Sequence, residues 1–369
     1  MPSCDVLLMG TMGDIGDSVL ASLQAHGLTV ATIPFPQNTF RDEQGYRRTL
    51  FLALQEWQPQ MIWPIGHPLA LSRLVHEAAE GTASPHSSSP RHSSQRQQSL
   101  LSAIARTICP VAAPSIIQTL DSKVQCSRLA TSLGIPQPLF YARSEDVPSF
   151  PVIFKRDRSF GGSGVYRPFT LEGLQKLELN EQNSERHKTC LDGRVVKLED
   201  EVNERNSERH KTCLDGRVVK LEDEVSERNS ERHKTCLDGR VVKLEDEVNE
   251  QSRSYLIEEY VEGEDVSVDI VRWGSQFHAA CYRTLSRRQR QGPAERRESC
   301  EAPQLVAYGR QLIEAAGFEG VCGLDFRVTP EGRICFLECN PRFTGGLATQ
   351  REAGFDIPWL FYQAINLCH

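Results

Sequence analysis

No run of about 18 apolar residues occurs anywhere in the chain, so the sequence offers no membrane-spanning helix. The opening residues, Met1-Pro2-Ser3-Cys4-Asp5-Val6-Leu7-Leu8-Met9-Gly10, carry no basic leading region and only a short apolar run. They read as a first strand and not as a signal peptide. Positive charge is not in surplus: 42 Lys and Arg against 49 Asp and Glu leave a net charge of -7. That speaks against coating nucleic acid or an anionic membrane, although a local cluster of Lys and Arg can still bind phosphate. No CxxC pair exists among the 12 cysteines, which are scattered or repeat-borne. Reduced thiols in a cytoplasmic protein is the reading. What remains is a 369-residue chain, 39% hydrophobic and 25% charged, long enough for two or three domains with sizeable cores.

The first segment reads as strand, glycine-rich turn, helix, strand. Asp5 to Met9 is apolar, Gly10, Gly13 and Gly16 follow, Ser18 to Gln24 suits a helix, and Leu28 to Ile33 suits a strand. This is a Rossmann-like βαβ start, but its GxxGxxG spacing departs from the dinucleotide GxGxxG, which favours a tight turn over a cofactor site. Further strands are expected at Met61 to Ile65 and Ile108 to Ala112, giving an open α/β domain over residues 1–114. Residues 83–98, centred on Ser-Pro-His-Ser-Ser-Ser-Pro-Arg-His-Ser-Ser, are expected to form a disordered surface loop.

A 23-residue unit runs from Asn180 to Val202 and recurs at Asn203 to Val225 and Ser226 to Val248. Val195, Leu198 and Val202 stand at helical spacing and Leu-Asp-Gly signals a turn, so each copy reads as a short charged helix and a turn. Copies this similar look like a recent duplication inserted at the surface, since roughly doubling a loop costs only about 0.6 kcal/mol of closure entropy. Each copy carries a His-x-x-Cys pair, His187 and Cys190 in the first, but nothing makes the pairs converge on a metal.

Chemistry concentrates elsewhere. Gly323 to Arg342 holds two alternating runs around Pro330-Glu331-Gly332, a β-hairpin. Pairing Val328 with Arg333 would set Asp325 opposite Phe336 and put Asp325, Glu338 and Asn340 on one face. Two carboxylates and an amide oxygen make a hard-oxygen set suited to Mg²⁺. Phe150 to Lys155 is a strand ending in lysine, and the glycine-rich run Gly161-Gly162-Ser163-Gly164 follows, where backbone N–H groups can close around phosphate. Tyr255 to Asp269 passes from an apolar strand through an acidic corner into an alternating strand.

Together these segments, from Ser115 to Gly354 apart from the repeats, resemble the ATP-grasp superfamily, in the branch of carbamoyl-phosphate-synthase-like carboxylate–amine ligases. The resemblance implies an α+β ATP-grasp domain behind an N-terminal Rossmann-like domain that does not itself bind ATP. The expected divisions are 1–114, then a lid over 115–257 holding the repeats 180–248, then a catalytic lobe over 258–369. It implies that Lys123, in Asp121-Ser122-Lys123, and Lys155 contact the ATP phosphates, and that Gly161, Gly162, Ser163 and Gly164 close over them. Glu258, Glu259, Tyr260 and Val261 resemble the hinge whose backbone meets the adenine edge. Asp265 stands where an acid, more commonly Glu, grips the ribose, so the shorter side chain makes that contact looser or water-mediated. Asp325, Glu338 and Asn340 match the ligands of Mg²⁺ (or Mn²⁺), and Arg342 resembles the arginine that steadies the transferring phosphoryl group.

Six arginines fall between Arg283 and Arg297. In the resembling family this stretch faces the active site, where Arg can hold a carboxylate or acyl-phosphate bidentately. Arg283 is taken first, with the later arginines read as a solvated loop. The implied activity is ATP-dependent joining of a carboxylate to an amine through an acyl-phosphate. The substrates would be small molecules such as an amino acid or short peptide, with no nucleic-acid or membrane partner, and a homodimer would be compatible. Carboxylation or carbamoyl-phosphate-like chemistry, or a non-catalytic nucleotide-binding protein working through the repeats, stand as alternatives. The repeats lie in the lid, where they bear on closure and turnover more than on ATP binding.

Overall fold

The computed structural model describes residues 2–10, 13–34, 43–66, 68–83, 95–159, 164–189, 254–287 and 294–368. Strand β1 (Ser3–Gly10) is buried on both faces, and its alternation divides the packing. Val6 and Leu8 enter one hydrophobic core, and Leu7 and Met9 enter another. Burial on both sides is what a central parallel strand with helices over each face requires. It pairs in parallel with β2 (Val30–Pro34) and β3 (Gln58–Pro64) in the order β2-β1-β3, with Val6 beside both Val30 and Met61. Helix α1 (Asp14–Ala25) follows Gly13, buries Val19 and Leu23, and lies between the first two strands in sequence.

Helices α2 (Glu43–Glu56), α3 (Leu69–Ala83) and α4 (Gln95–Ile104) come next. Two expectations need correcting here. Helix α3 runs to Ala83 and α4 begins at Gln95, so both ends of the loop expected over 83–98 are helical; residues 84–94 lie outside the described residues. The strand expected at Ile108 to Ala112 reduces to one parallel bridge between Met61 and Ile108. Pro110 has no N–H to donate, and a ladder cannot continue through it.

Helices α5 (Pro114–Asp121) and α6 (Lys123–Ser132) lead to a four-stranded antiparallel sheet, β4-β7-β5-β6. Its strands are β4 (Phe140–Tyr141), β5 (Val152–Arg156), β6 (Val165–Tyr166) and β7 (Tyr255–Glu259). A five-stranded antiparallel sheet, β10-β9-β8-β11-β12, is built from β8 (Glu264–Trp273), β9 (Gln276–Arg287), β10 (Ala294–Cys300), β11 (Gly320–Val328) and β12 (Ile334–Asn340). On one face Val266, Val268, Ile270, Leu324 and Phe326 pack on Ile117, Leu120, Cys126 and Ala130 of α5 and α6 and on Leu312 and Ile313 of α8 (Pro303–Ala315). The chain closes with α9 (Leu347–Glu352) and α10 (Ile357–Cys368).

Residues Met1–Leu174 and Ser254–His369 form one compact unit and Gln175–Arg253 another. The divisions expected at 114 and 257 fall within and at the edge of the first. Helix α7 (Leu171–Thr189) carries the first ten residues of the first repeat copy. Cys190, Val195, Leu198 and Val202 of that copy, the side chain of His187, and the two later copies lie outside the described residues.

Candidate nucleotide-binding and catalytic cleft

A cleft of about 440 Å³ lies against both antiparallel sheets, lined by Lys123, Lys155, Glu258 to Val261, Asp265, Asp325, Glu338, Asn340 and Arg342 among others. All of these residues belong to the first compact unit. Local structure explains how each side chain arrives there.

Lys123 opens α6. Ser122 caps that helix, accepting from the Gln125 N–H at 3.1 Å, while Asp157 Oδ1 accepts from the Ser122 hydroxyl at 2.8 Å and the Val124 N–H at 2.9 Å. The Lys123 ammonium, 7% exposed, then donates to the Ser159 carbonyl at 3.0 Å and stands 3.6 Å from Glu338. On β5, Val152 and Phe154 are buried and Phe154 stacks on Tyr255 at 4.8 Å, which turns Ile153 and Lys155 toward the cleft. Ile153 pairs with Glu258, so Lys155 and Glu258 are diagonal neighbours on one face, with Nζ and Oε2 2.7 Å apart. Burial raises the Glu258 pKa, and the charge and hydrogen bond of Lys155 pull it back.

The acidic hairpin reaches the expected face by a different register. The pairs are Val328 with Ile334, Phe326 with Phe336, then Asp325 with Glu338 and Gly323 with Asn340, with an irregularity between Asp325 and Phe326. Asp325 therefore faces Glu338 and not Phe336. Phe336 is 2% exposed and packs edge-on against Phe326 at 5.5 Å in the core. In unbroken alternation Glu338 would share that core face. The extra residue of a bulge at Leu337 turns it into the cleft.

Asp325 is fully engaged: Ser267 donates to Oδ1 at 2.6 Å and the Asn340 amide to Oδ2 at 3.3 Å. Burial, and then the charge of Glu338, push its pKa up to about 6. A raised Asp325 carboxylate beside the partly exposed Glu338 carboxylate, with an amide oxygen two residues on, is a donor set that a hard divalent cation would relieve, so these residues fit Mg²⁺. Asn340 Oδ1 accepts from Arg342 Nη2 at 3.0 Å, which brings the expected arginine to the same place.

Other expected residues are placed differently. Glu259 holds Arg333 through two 2.8 Å bonds, and its backbone N–H donates to the Leu139 carbonyl. Asp265 is gripped by two arginines, Oδ1 by Arg327 at 2.7 Å and Oδ2 by Arg287 at 2.8 Å, so a ribose would compete for its remaining lone pairs. Tyr260 lies beneath the Arg167 guanidinium, 3.6 Å from the ring centre. Gly161, Gly162 and Ser163 lie outside the described residues; Gly164 accepts from the Arg156 N–H at 2.8 Å, and a side chain on it would meet Ser159.

Arg283 is a correction. It stands on the face of β9 away from the cleft, 3.8 Å from Glu264 and 4.0 Å from Glu298. Its neighbours Tyr282 and Thr284 line the cleft, as do Arg287 and Arg297. Strand alternation excludes the residue between two that face inward. Of the later arginines read as a solvated loop, Arg287 ends β9 and Arg296 and Arg297 lie in β10, while Arg288 and Arg290 lie outside the described residues. Sequence reasoning also passed over Arg167, Ser267, Asp269 and Thr344. Asp269 and Thr344 had a signal available, an acid in an apolar strand and a Thr-Gly-Gly run after Arg342.

Comparison with known proteins bears on this arrangement. A family described as ATP-grasp in the biosynthetic pathway with Ter operon matches residues 251–367. The chain carries an ATP-grasp fold. Biotin carboxylase from Campylobacter jejuni, solved with βγ-ATP, is similar over 98% of this chain and 71% of its own, at 13% identity and a TM-score of 0.60. L-amino acid ligase from Bacillus licheniformis is similar over 97% and 73%, at 11% identity and a TM-score of 0.56. The biotin carboxylase domain of Hydrogenobacter thermophilus 2-oxoglutarate carboxylase, solved with MgADP, ADP and bicarbonate, is similar over 98% and 70%, at 13% identity and a TM-score of 0.57. At such identities the likeness is one of fold. No curated protein sequence matches the chain. Among the described residues no helix is long and apolar enough to cross a membrane.

Proposed function

We propose that this ATP-grasp chain is an ADP-forming ligase that joins a small-molecule carboxylate to an amine through an acyl-phosphate. The observation that carries the reading is one cleft that combines two buried lysines, the Asp325, Glu338 and Asn340 set, and Arg342. Lys155 and Lys123 now rest against Glu258 and Glu338. A polyphosphate entering between them replaces one set of anionic partners with another at little reorganisation cost. Residues 258–261 take the adenine end, and Asp265 with its two arginines borders the ribose.

Asp325, Glu338 and Asn340 would hold Mg²⁺ (or Mn²⁺), which when bound offsets charge on the phosphates. Lys123, Lys155 and Arg342 offset the remaining charge that spreads over the transferring phosphoryl group. The substrate carboxylate oxygen takes that group, ADP leaves, and the amine nitrogen then attacks the acyl carbon and expels phosphate. Positioning and electrostatics supply the rate, and exclusion of water protects the acyl-phosphate. In this reading residues 1–114 are the leading Rossmann-like domain, 115–257 the lid and 258–369 the catalytic lobe. The repeats 180–248 are an insertion in the lid.

The test is ADP release with Mg-ATP across a panel of amino acids and dipeptides, comparing the native chain with Glu338→Ala. Substrate-stimulated release should fall roughly 100-fold or more in the variant, the scale of losing one contact to developing charge. Absence of stimulated release, together with absence of magnesium-dependent ATP binding, would sink the reading.

A further inference from the structure

The reaction above leaves one end of the cleft without a task. Its wall there is formed by Asp269, Tyr282, Thr284, Arg297 and Thr344. Asp269 follows Ser267 on the cleft face of β8 and is 1% exposed. The Thr344 hydroxyl donates to its Oδ1 at 2.7 Å and the Gln350 amide also lies against the carboxylate, whereas Oδ2 itself is buried without a hydrogen-bond partner; burial, opposed by Thr344 and Gln350, pushes the pKa up to about 7. A buried carboxylate oxygen left in that condition is costly, and native structures rarely keep one without a purpose. Arg297 approaches from β10, its guanidinium 5.7 Å from the Tyr282 ring centre, and its Nε is likewise buried without a partner.

The chain makes room for this group of side chains. A side chain at Gly346 would run into the Tyr282 ring, coming within 2.9 Å of the hydroxyl, and one at Gly345 would reach 2.9 Å from Arg297 Nη2. One at Gly323 would press on Thr344 and come within 2.8 Å of Asp269 Oδ1. Three glycines thus hold open the space around one carboxylate oxygen and one guanidinium nitrogen that are buried without hydrogen bonds, beside the Tyr282 ring. The phosphate-binding lysines belong to other elements, α6 and β5, so these charges are not spent on the nucleotide. A ligand that satisfies both must carry an ammonium and a carboxylate on a short frame.

We propose that this end of the cleft is a subsite for a zwitterionic α-amino acid, with Asp269 receiving the ammonium group and Arg297 the carboxylate. The assignment deepens the ligase reading and rests on it for the fate of the bound amino acid. A simple amine would leave Arg297 unanswered, and a dicarboxylic acid would set a second anion against Asp269. The role of Asp269 is therefore in specificity, with Thr344 holding its carboxylate in place.

Saturation-transfer NMR on the full chain with Mg-ATP tests this directly. The probes are an equimolar mixture of the twenty L-amino acids, the same mixture N-acetylated, and the corresponding amino-acid amides. Free amino acids should bind and N-acetylated ones should not. Asp269→Asn should weaken binding at least tenfold, the scale of losing one charge-assisted contact. Arg297→Gln, at a less buried site, should remove the preference for free acids over amides even if the Asp269 variant proves unstable. Equal binding of N-acetylated forms, no binding of free amino acids, or binding indifferent to both substitutions would overturn the subsite. ADP release separates the two ideas. Amino-acid binding without any stimulated release would keep the subsite and reject the ligase. Release driven only by simple amines and carboxylic acids, unchanged in both variants, would keep the ligase and reject the subsite.

Discussion

Replacing Lys155 with methionine would strip Glu258 of the ammonium in contact with it in the protein interior, leaving only the weaker influence of Lys123. The two side chains are 8% and 3% exposed and meet at 2.7 Å. Burial is the largest influence on Glu258 and acts to raise its pKa, with the lysine opposing it. Removing one partner of such a pair costs about 3–5 kcal/mol, because the remaining charge keeps its desolvation penalty and loses its compensation. Against a total stability on the order of 5–15 kcal/mol, that is a large fraction. The double variant Lys155→Met, Glu258→Leu removes the charge as well as the partner and should recover to within about 1–2 kcal/mol of the native chain, while ATP binding stays lost. Urea unfolding of the four members of this cycle measures both numbers. The pH dependence provides a second check. In Lys155→Met the folded-state pKa of Glu258 lies above its unfolded value, so the folded state holds more protons. Stability of the variant should then rise as pH falls through the raised folded-state pKa, and stop rising once pH is below the unfolded-state value. A Lys155→Met chain within about 1 kcal/mol of the native one, with no such pH response, would refute the picture of a dry, mutually dependent pair.

Gly346→Ala should destabilise by about 1–3 kcal/mol in thermal unfolding, because its methyl group lands on a Tyr282 ring that is 5% exposed and cannot easily retreat. Thiol labelling of the native chain, read by mass spectrometry, should modify the exposed Cys368 promptly. It should spare Cys126 and Cys339 until denaturant is added, because both are buried with pKa values raised well above the ordinary range: Cys126 by its hydrogen bond with Cys339 and by burial, Cys339, against the lowering effect of Cys126, by its hydrogen bond with Cys322 and by burial. Arg47 bridges Glu43 at 2.9 Å and Glu77 at 2.7 Å and lowers both their pKa values. With side chains 23% to 38% exposed, Arg47→Met should cost at most about 1 kcal/mol at neutral pH. Groups with depressed pKa values stabilise above the ordinary value of 4.5, and that contribution disappears as pH falls through their lowered ones. The difference between variant and native chain in acid unfolding should therefore vanish at the lowest pH.

What the sequence by itself determined is the part governed by local pattern. Alternation over Val152–Arg156 sends Lys155 to the opposite face from Val152 and Phe154, whatever lies on either side. Ser122 before Lys123 announces a helix start, and the structure uses it as the cap. The acid-bearing hairpin is legible because its charges interrupt an apolar run. Tertiary structure decided everything that depends on where the two sheets and their irregularities fall. The bulge at Leu337 decides that Glu338 meets Asp325 and not the core, and no residue type announces it. Pairing across β9 and β10 decides that Arg287 and Arg297 line the cleft and Arg283 does not. Lys155 meets Glu258 from the far side of the repeats, and Asp269 meets Thr344 across 75 positions. Periodicity fixes which way a side chain leaves its own strand, and only the folded chain fixes what it finds there.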